Sequence, residues 1–286
     1  EEMRITKTAL IVPVAAAMML SCSSSRTATY QVERTRILID SSYDAHADRA
    51  AIAFMAPYKA HVDSLMNPVV GYAASDMSNY QPESPLSNLF SDILVWGGQA
   101  FNEHPDFAVY NVGGIRASLS KGPVTIGDVL DMAPFENKIC FLTLTGSKVL
   151  ELFQQITAQG GQGVSHSVRL VMDKNGKLLS ATVNGEPVNK TKEYRIATLD
   201  YVAQGNDNMD AFKAKTNVVS PQSEENNIRY IIMNYFRYFM KQGKAVESKV
   251  EGRITIERED SMCPTRSFPN EGGWALMPMT TSMVRQ

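Results

Sequence analysis

Apolar residues return at helical spacing in several stretches of the chain. Between Asp44 and Met66, the residues Ile52, Met55, Ala56, Val62 and Met66 share one face at three- and four-residue steps, with Lys59 among them. Pro57 predicts a kink or break in that helix. A second helix is predicted from Ser84 to about Ala100: Ser84 is suited to the N-cap, Pro85 is tolerated in the first turn, and Gly97-Gly98 loosens the end. A short helix over Ile126–Met132 stops before Pro134, and another covers Ser147–Ala158. A long one, capped by Ser223 with Glu224 and Glu225 favourable to its dipole, runs to about Met240.

Between these lie β-type runs: Arg36–Ile39, Val69–Tyr72, Phe107–Tyr110, Lys138–Leu144, Ser167–Met172, Lys177–Val183, Tyr194–Leu199 and Arg253–Ile256. Asp173-Lys174-Asn175-Gly176 marks a hairpin and Asn184-Gly185 a second turn. The first half mixes helices with strands and the second half is β-rich, so the fold class read from the pattern is α/β or α+β. No internal repeat is evident.

The ends read differently. Glu1 and Glu2 precede Met3, where translation is expected to start. Arg4 and Lys7 flank an apolar run from Thr8 to Leu20 of signal-peptide length, too short for a comfortable permanent span. It ends in Met19-Leu20-Ser21-Cys22 followed by three serines, similar to the lipobox of bacterial lipoproteins. Residues 1–22 are therefore expected to be a lipoprotein signal, with Cys22 lipidated and 23–40 a tether. The protein is expected to be exported and held at a membrane, in the periplasm or at the cell surface; the alternative is an ordinary signal peptide with an incidental Cys22. Residues 258–286, rich in proline, methionine, threonine and glycine without periodicity, are expected to be a disordered tail or sequence foreign to the domain.

Composition narrows the function. The 28 basic and 30 acidic residues nearly cancel, which argues against electrostatic capture of a nucleic acid polymer. Three cysteines (Cys22, Cys140 and Cys263) are too few and too scattered for a disulfide framework or a zinc knuckle. The sequence contains neither a nucleophile elbow nor a Walker-type phosphate loop.

The strand Phe107–Tyr110 leads directly into Asn111-Val112-Gly113-Gly114-Ile115-Arg116. Paired glycines let the backbone approach a ligand, and Arg116 offers a planar fork to phosphate or carboxylate; the plain alternative is a tight strand exit with a solvated arginine. Further motifs accompany it in order: Glu83–Leu89, then Ala133-Pro134-Phe135-Glu136-Asn137, Leu144-Thr145-Gly146, and Tyr194–Ala197 with Asp200–Asp207. This series resembles the C-terminal, substrate-recognition domain of 5'-nucleotidases, a family that includes bacterial periplasmic UDP-sugar hydrolases and surface ecto-nucleotidases. The resemblance covers about residues 41–257 and implies a layered domain of mixed β-sheets flanked by helices.

It also implies roles. Asn111 matches an asparagine that hydrogen-bonds the base, with Gly113 and Gly114 beside it, and Arg116 an arginine that holds the ribose-phosphate end. Phe135 and Tyr201 match two aromatics that clamp the base, where a phenylalanine pair is usual. Asp207 matches an aspartate that binds ribose hydroxyls. Read singly, Phe135 is as well explained as a core aromatic, Tyr201 as a packed strand residue, and Asp207 as a turn organiser. Two departures stand out: Pro82 replaces a family arginine, and Gly205-Asn206-Asp207-Asn208 replaces a more glycine-rich loop, which is expected to stiffen and crowd it.

In the family, hydrolysis belongs to a two-metal centre in a separate N-terminal metallophosphatase domain. Here Asp44-Ala45-His46 mimics only its first motif, and the segment between Cys22 and Ser84 is too short to house it. No catalytic or metal-binding residue and no cofactor is expected in this chain, divalent metals residing in a partner. The leading expectation is a nucleotide- or nucleoside-recognition subunit acting with a separately encoded metallophosphatase in extracytoplasmic nucleotide catabolism. The alternatives are a stand-alone nucleoside-binding lipoprotein and a degenerate structural module.

Overall fold

In the computed structural model, residues 32–38 and 40–257 are described. The expected signal with Cys22 and the expected tail over 258–286 lie outside them. Contacts divide the chain into two units at Ala56/Pro57. In the first, residues 32–38 are exposed and form no strand, which corrects the expectation for Arg36–Leu38; Ile39 lies outside the described residues. An isolated extended run has no neighbour to satisfy its backbone groups. A 3-10 turn over Ser41–His46 then precedes helix α1, Arg49–Met66, which starts later than expected and continues through Pro57. Helix α1 buries none of its residues, so water has access to the carbonyl that proline leaves without a donor.

The second unit is built around a five-stranded sheet. Its strands are β2 (Phe107–Tyr110), β4 (Ile139–Thr145), β5 (Gly163–Val164), β9 (Glu193–Leu199) and β10 (Thr216–Val219), in the order β10-β4-β9-β2-β5. Strand β4 reads Ile-Cys-Phe-Leu-Thr-Leu, and all six side chains are buried because both faces of the sheet are covered. Helix α2 (Pro85–Gly97) covers one face. Its Leu86, Leu89, Phe90, Ile93 and Leu94 repeat at helical spacing, all buried, and Phe90 meets Tyr110 edge-on with centroids 5.1 Å apart. Phe107, three residues earlier on β2, points to the other face and packs on Phe153 at 5.3 Å. Phe153 belongs to α4 (Gly146–Ala158), whose Val149, Leu152, Phe153 and Ile156 are fully buried.

Beyond α4 lies a four-stranded sheet of order β11-β6-β7-β8, built from β6 (Val168–Met172), β7 (Leu178–Val183), β8 (Glu186–Pro187) and β11 (Ile254–Ile256). The two expected turns close its hairpins: Gly176 has φ +80°, and Asn184 and Gly185 have φ +54° and +81°, as a two-residue turn requires. On the α2 side, α6 (Ile228–Lys241) packs against α2 and against β1 (Val69–Ala73), which pairs with β3 (Gly122–Thr125). A short helix α3 spans Ile126–Met132, as expected, capped by Thr125 and Asp128.

One correction concerns α6. Ser223 does not cap it; Asn227 does, its side chain accepting from Arg229 N at 3.2 Å, after a 3-10 turn over Glu224–Asn226. The chain docks first on the entry to β4, where Ile228 N donates to Asn137 O at 2.9 Å, and coils only afterwards. Strands β3, β5, β8 and β10 were not expected. They are two to four residues long, with little apolar alternation to mark them; β5 is buried, and the other three are partly or wholly exposed.

The motif Glu83–Leu89 serves the fold. Glu83 is 4% exposed, and its carboxylate accepts from Asn88 Nδ2 and from the backbone N–H groups of Glu251 and Arg253, each at 2.7 Å. Arg253, 2% exposed, forks onto Asp92 at 2.9 and 2.6 Å and donates to Val164 O at 2.8 Å. These bonds strap residues 249–254 across the start of α2.

Replacing Glu83 with alanine leaves several buried donors without an acceptor. A loss of about 3–5 kcal/mol is expected, read as a lowered urea midpoint; an unchanged midpoint would refute the strap. Burial, then the charge of Asp92, pushes the Tyr235 phenol up to about 12, and burial raises Tyr110 as well. A phenol whose folded pKa lies above its unfolded value contributes stability that is lost as pH rises from about 10 through about 12. The melting temperature should therefore fall across that window, and less steeply in Tyr235→Phe.

Candidate functional site

Sheet geometry gathers the candidate residues. Strands β2 and β9 are parallel, with Phe107 beside Ile196, and β4 is antiparallel to β9, with Ile139 beside Leu199. The exits of β2 and β9 and the entrance of β4 therefore share one edge of the sheet. In open sheets with parallel strands, ligands bind at the carboxyl ends of those strands. Here that edge carries residues 111–116, 200–207 and 134–137.

A cavity of about 240 Å³ opens there, lined by Asn111, Gly113, Phe135, Asn137, Tyr201 and Asp207. The first loop is a 3-10 turn over Val112–Gly114, closed by Gly114 N to Asn111 O at 2.9 Å and braced by two side chains. Gln162 Oε1 accepts from Val112 N at 2.7 Å, and Asn79 Nδ2 donates to Val112 O at 2.9 Å. Neither brace was legible as a site residue, although Gln162 sits in the glycine-rich run Gly160-Gly161-Gln162-Gly163, a signal of close packing.

Asn111 is 4% exposed. Its Nδ2 donates to Asp207 Oδ2 at 2.7 Å, and its Oδ1 is buried without a partner. That oxygen lies over Gly114, where an added Cβ would stand only 2.8 Å away, so the second glycine is required by close approach. Gly113 has open space in the same position and leaves the cavity wall low.

Tyr201 lies on the one-turn helix α5, Asp200–Ala203, rather than in a strand. Asp200 ties this turn to β4: its Oδ1 accepts from Lys138 N at 3.0 Å and from Tyr201 N at 2.8 Å. The following loop is folded back by Asn206 Nδ2 donating to Tyr201 O at 2.8 Å. Asp207 and Asn208 both adopt φ +53°, a left-handed conformation that Asp and Asn tolerate better than most residues. The Tyr201 hydroxyl donates to Asp207 Oδ1 at 3.0 Å. That bond first, then the carboxylate charge, raises the Tyr201 phenol above its ordinary range.

Phe135 is 47% exposed and Tyr201 39%, so neither is a core aromatic. The Phe135 loop is held by α6, with Arg229 Nη2 donating to Pro134 O at 2.9 Å. Asn137, at the end of the motif Ala133–Asn137, also lines the cavity. Gly114 lies buried beside the lining residues. Arg116 is exposed and outside the lining, its Nη1 turned back to Gly113 O at 3.3 Å. Among the described residues, no group of three or more His, Cys, Asp or Glu is arranged to hold a metal ion. No helix among them is long and apolar enough to cross a membrane. The side chains of residues 44–46 lie outside the description.

Residues 59–214 match the family model described as 5'-nucleotidase, C-terminal domain. The trifunctional nucleotide phosphoesterase protein YfkN of Bacillus subtilis is 28% identical over 240 residues, covering 77% of this chain and 15% of that protein. Protein UshA of Escherichia coli is 33% identical over 117 residues, covering 40% of this chain and 21% of UshA. The crystal structure of a 5'-nucleotidase precursor from Thermus thermophilus superposes with a TM-score of 0.62 at 26% identity, covering 75% of this chain and 44% of that one. The chain thus spans less than half the length of each of these relatives. The family match covers more than half of the chain and contains every loop that builds the cavity, so the chain belongs to the 5'-nucleotidase C-terminal domain family.

Proposed function

We propose that the cavity binds the base of a nucleotide or nucleoside between Phe135 and Tyr201. The observation that carries this reading is that two substantially exposed aromatics, on loops from different strands, line one cavity with a carboxylate and two amides. Aromatic surface left in water is unfavourable unless something covers it, and a planar base does so by stacking. The amides and Asp207 supply polar groups at the edges of such a ligand. Hydrolysis is supplied by a metallophosphatase lying outside these residues, with its own divalent metals, in extracytoplasmic nucleotide catabolism. Two points support this: the named relatives include a nucleotide phosphoesterase and a 5'-nucleotidase, and both are much longer than the segment they share with this chain. The signal-like run ending at Cys22 supports export and a lipid anchor.

A second reading, a stand-alone binder of nucleosides, is favoured by one feature. Arg116 turns back onto Gly113, and Pro82 stands where the family places an arginine, so neither position presents a guanidinium to a phosphate in the cavity.

Calorimetric titration of the purified chain with adenosine and AMP separates these readings. Saturable binding is expected, weakened about tenfold or more by Tyr201→Ala or Phe135→Ala. AMP binding no tighter than adenosine would favour the nucleoside reading. Absence of binding by both ligands would overturn the base clamp.

A further inference from the structure

Asp207 already has two protein donors, one on each carboxylate oxygen: Asn111 Nδ2 on Oδ2 at 2.7 Å and the Tyr201 hydroxyl on Oδ1 at 3.0 Å. The second bond exists only because residue 201 is a tyrosine; a phenylalanine would fill the same wall and leave Oδ1 free. The loop between the partners is short and closed. Gly205 N donates to Val202 O at 2.9 Å, Met209 N to Asn206 O at 3.2 Å, and Met209 is fully buried. The backbone turn that sets Asp207 beside the phenol is thus closed on both sides of residue 207.

A hydrogen bond to a carboxylate is stronger than one between neutral groups. The raised pKa of the Tyr201 phenol keeps it a donor throughout the neutral range. A pair of vicinal ligand hydroxyls approaching Asp207 meets a carboxylate whose two oxygens each already accept a protein donor. Exchanging one donor for another gains little, because the displaced phenol loses what the incoming hydroxyl wins.

We propose that the Tyr201 hydroxyl is a specificity-determining group that takes the place of a ligand hydroxyl on Asp207, so that the cavity selects its ligand by the base and is nearly indifferent to the sugar hydroxyls. Ribonucleosides, deoxyribonucleosides and dideoxyribonucleosides of one base are then ligands of similar strength. The same bond fixes the tyrosine ring as a preset wall, so the clamp does not depend on the sugar to order it. This inference rests on the base-binding reading and refines it.

The test titrates the purified full chain with adenosine, 2'-deoxyadenosine and 2',3'-dideoxyadenosine, in the natural protein and in Tyr201→Phe. The natural protein should bind all three within about threefold of one another. Tyr201→Phe keeps the aromatic wall and frees Oδ1, so it should still bind and should prefer adenosine over the dideoxy form by about tenfold. Adding Asp207→Asn to Tyr201→Phe should weaken that preference, because the carboxamide accepts less strongly than a carboxylate; asparagine is at home at φ +53°, so the turn should persist. A strong ribose preference in the natural protein, or a ratio unchanged by Tyr201→Phe, overturns the proposal while leaving base binding in place. Failure of both proteins to bind any of the three overturns the base clamp and this inference with it.

Discussion

The parallel pairing of β2 with β9, flanked by antiparallel β4, is the constraint from which the site follows. Parallel neighbours end on the same edge, and an antiparallel neighbour begins there. Three loops separated by many residues in the chain thus meet at one rim without any of them being long. Strand β2 delivers Asn111 and Gly113, β9 delivers Tyr201 and Asp207, and the approach to β4 delivers Phe135 and Asn137. The sheet is rigid because α2 and α4 bury both of its faces. The loops inherit that rigidity through bonds at their roots, such as those Asp200 makes to Lys138 and Tyr201.

Polar groups serve two purposes in this fold, and the structure separates them. Glu83, Asn88, Asp92 and Arg253 are buried or partly buried and engage one another and backbone groups, which fastens the last strand to α2. Their worth lies in satisfying donors that burial would otherwise strand. Asn111, Asn137 and Asp207 line the cavity, and Asn111 Oδ1 is left buried without a partner. A buried hydrogen-bonding group left without a partner is a cost to the fold. The left-handed Asp207 and Asn208 lie on one of the loops that build the cavity.

Phe107, Phe141 and Phe153 disappear into the sheet-and-helix core, whereas Phe135 and Tyr201 stay half in water on either side of the cavity. Arg116, whose chemistry suits phosphate, lies outside the lining with its guanidinium on Gly113 O. The lining of this rim is therefore aromatic, amide and carboxylate, with no guanidinium in it.

Much of this was determined by the sequence alone. Continuous apolar runs such as Ile139–Leu144 and the helical spacing of Leu86 to Leu94 locate strands and helices because burial imposes those periods. The ordered motifs around Asn111, Phe135, Tyr201 and Asp207 identify the family and the loops that carry the site. What only the tertiary structure decided is each residue's partners, since these come from elements distant in the chain. Nothing near Glu83 shows that it faces the backbone of residues 251–253. Nothing near Asn227 shows that docking on Asn137 delays the start of α6. The spacing of Ile52, Met55 and Val62 predicts a helix correctly, yet α1 buries none of them, because periodicity records which side could be covered and not what covers it. Likewise, tyrosine at 201 is plain in the sequence, but its bond to Asp207 appears only once the turn between them brings hydroxyl and carboxylate within reach.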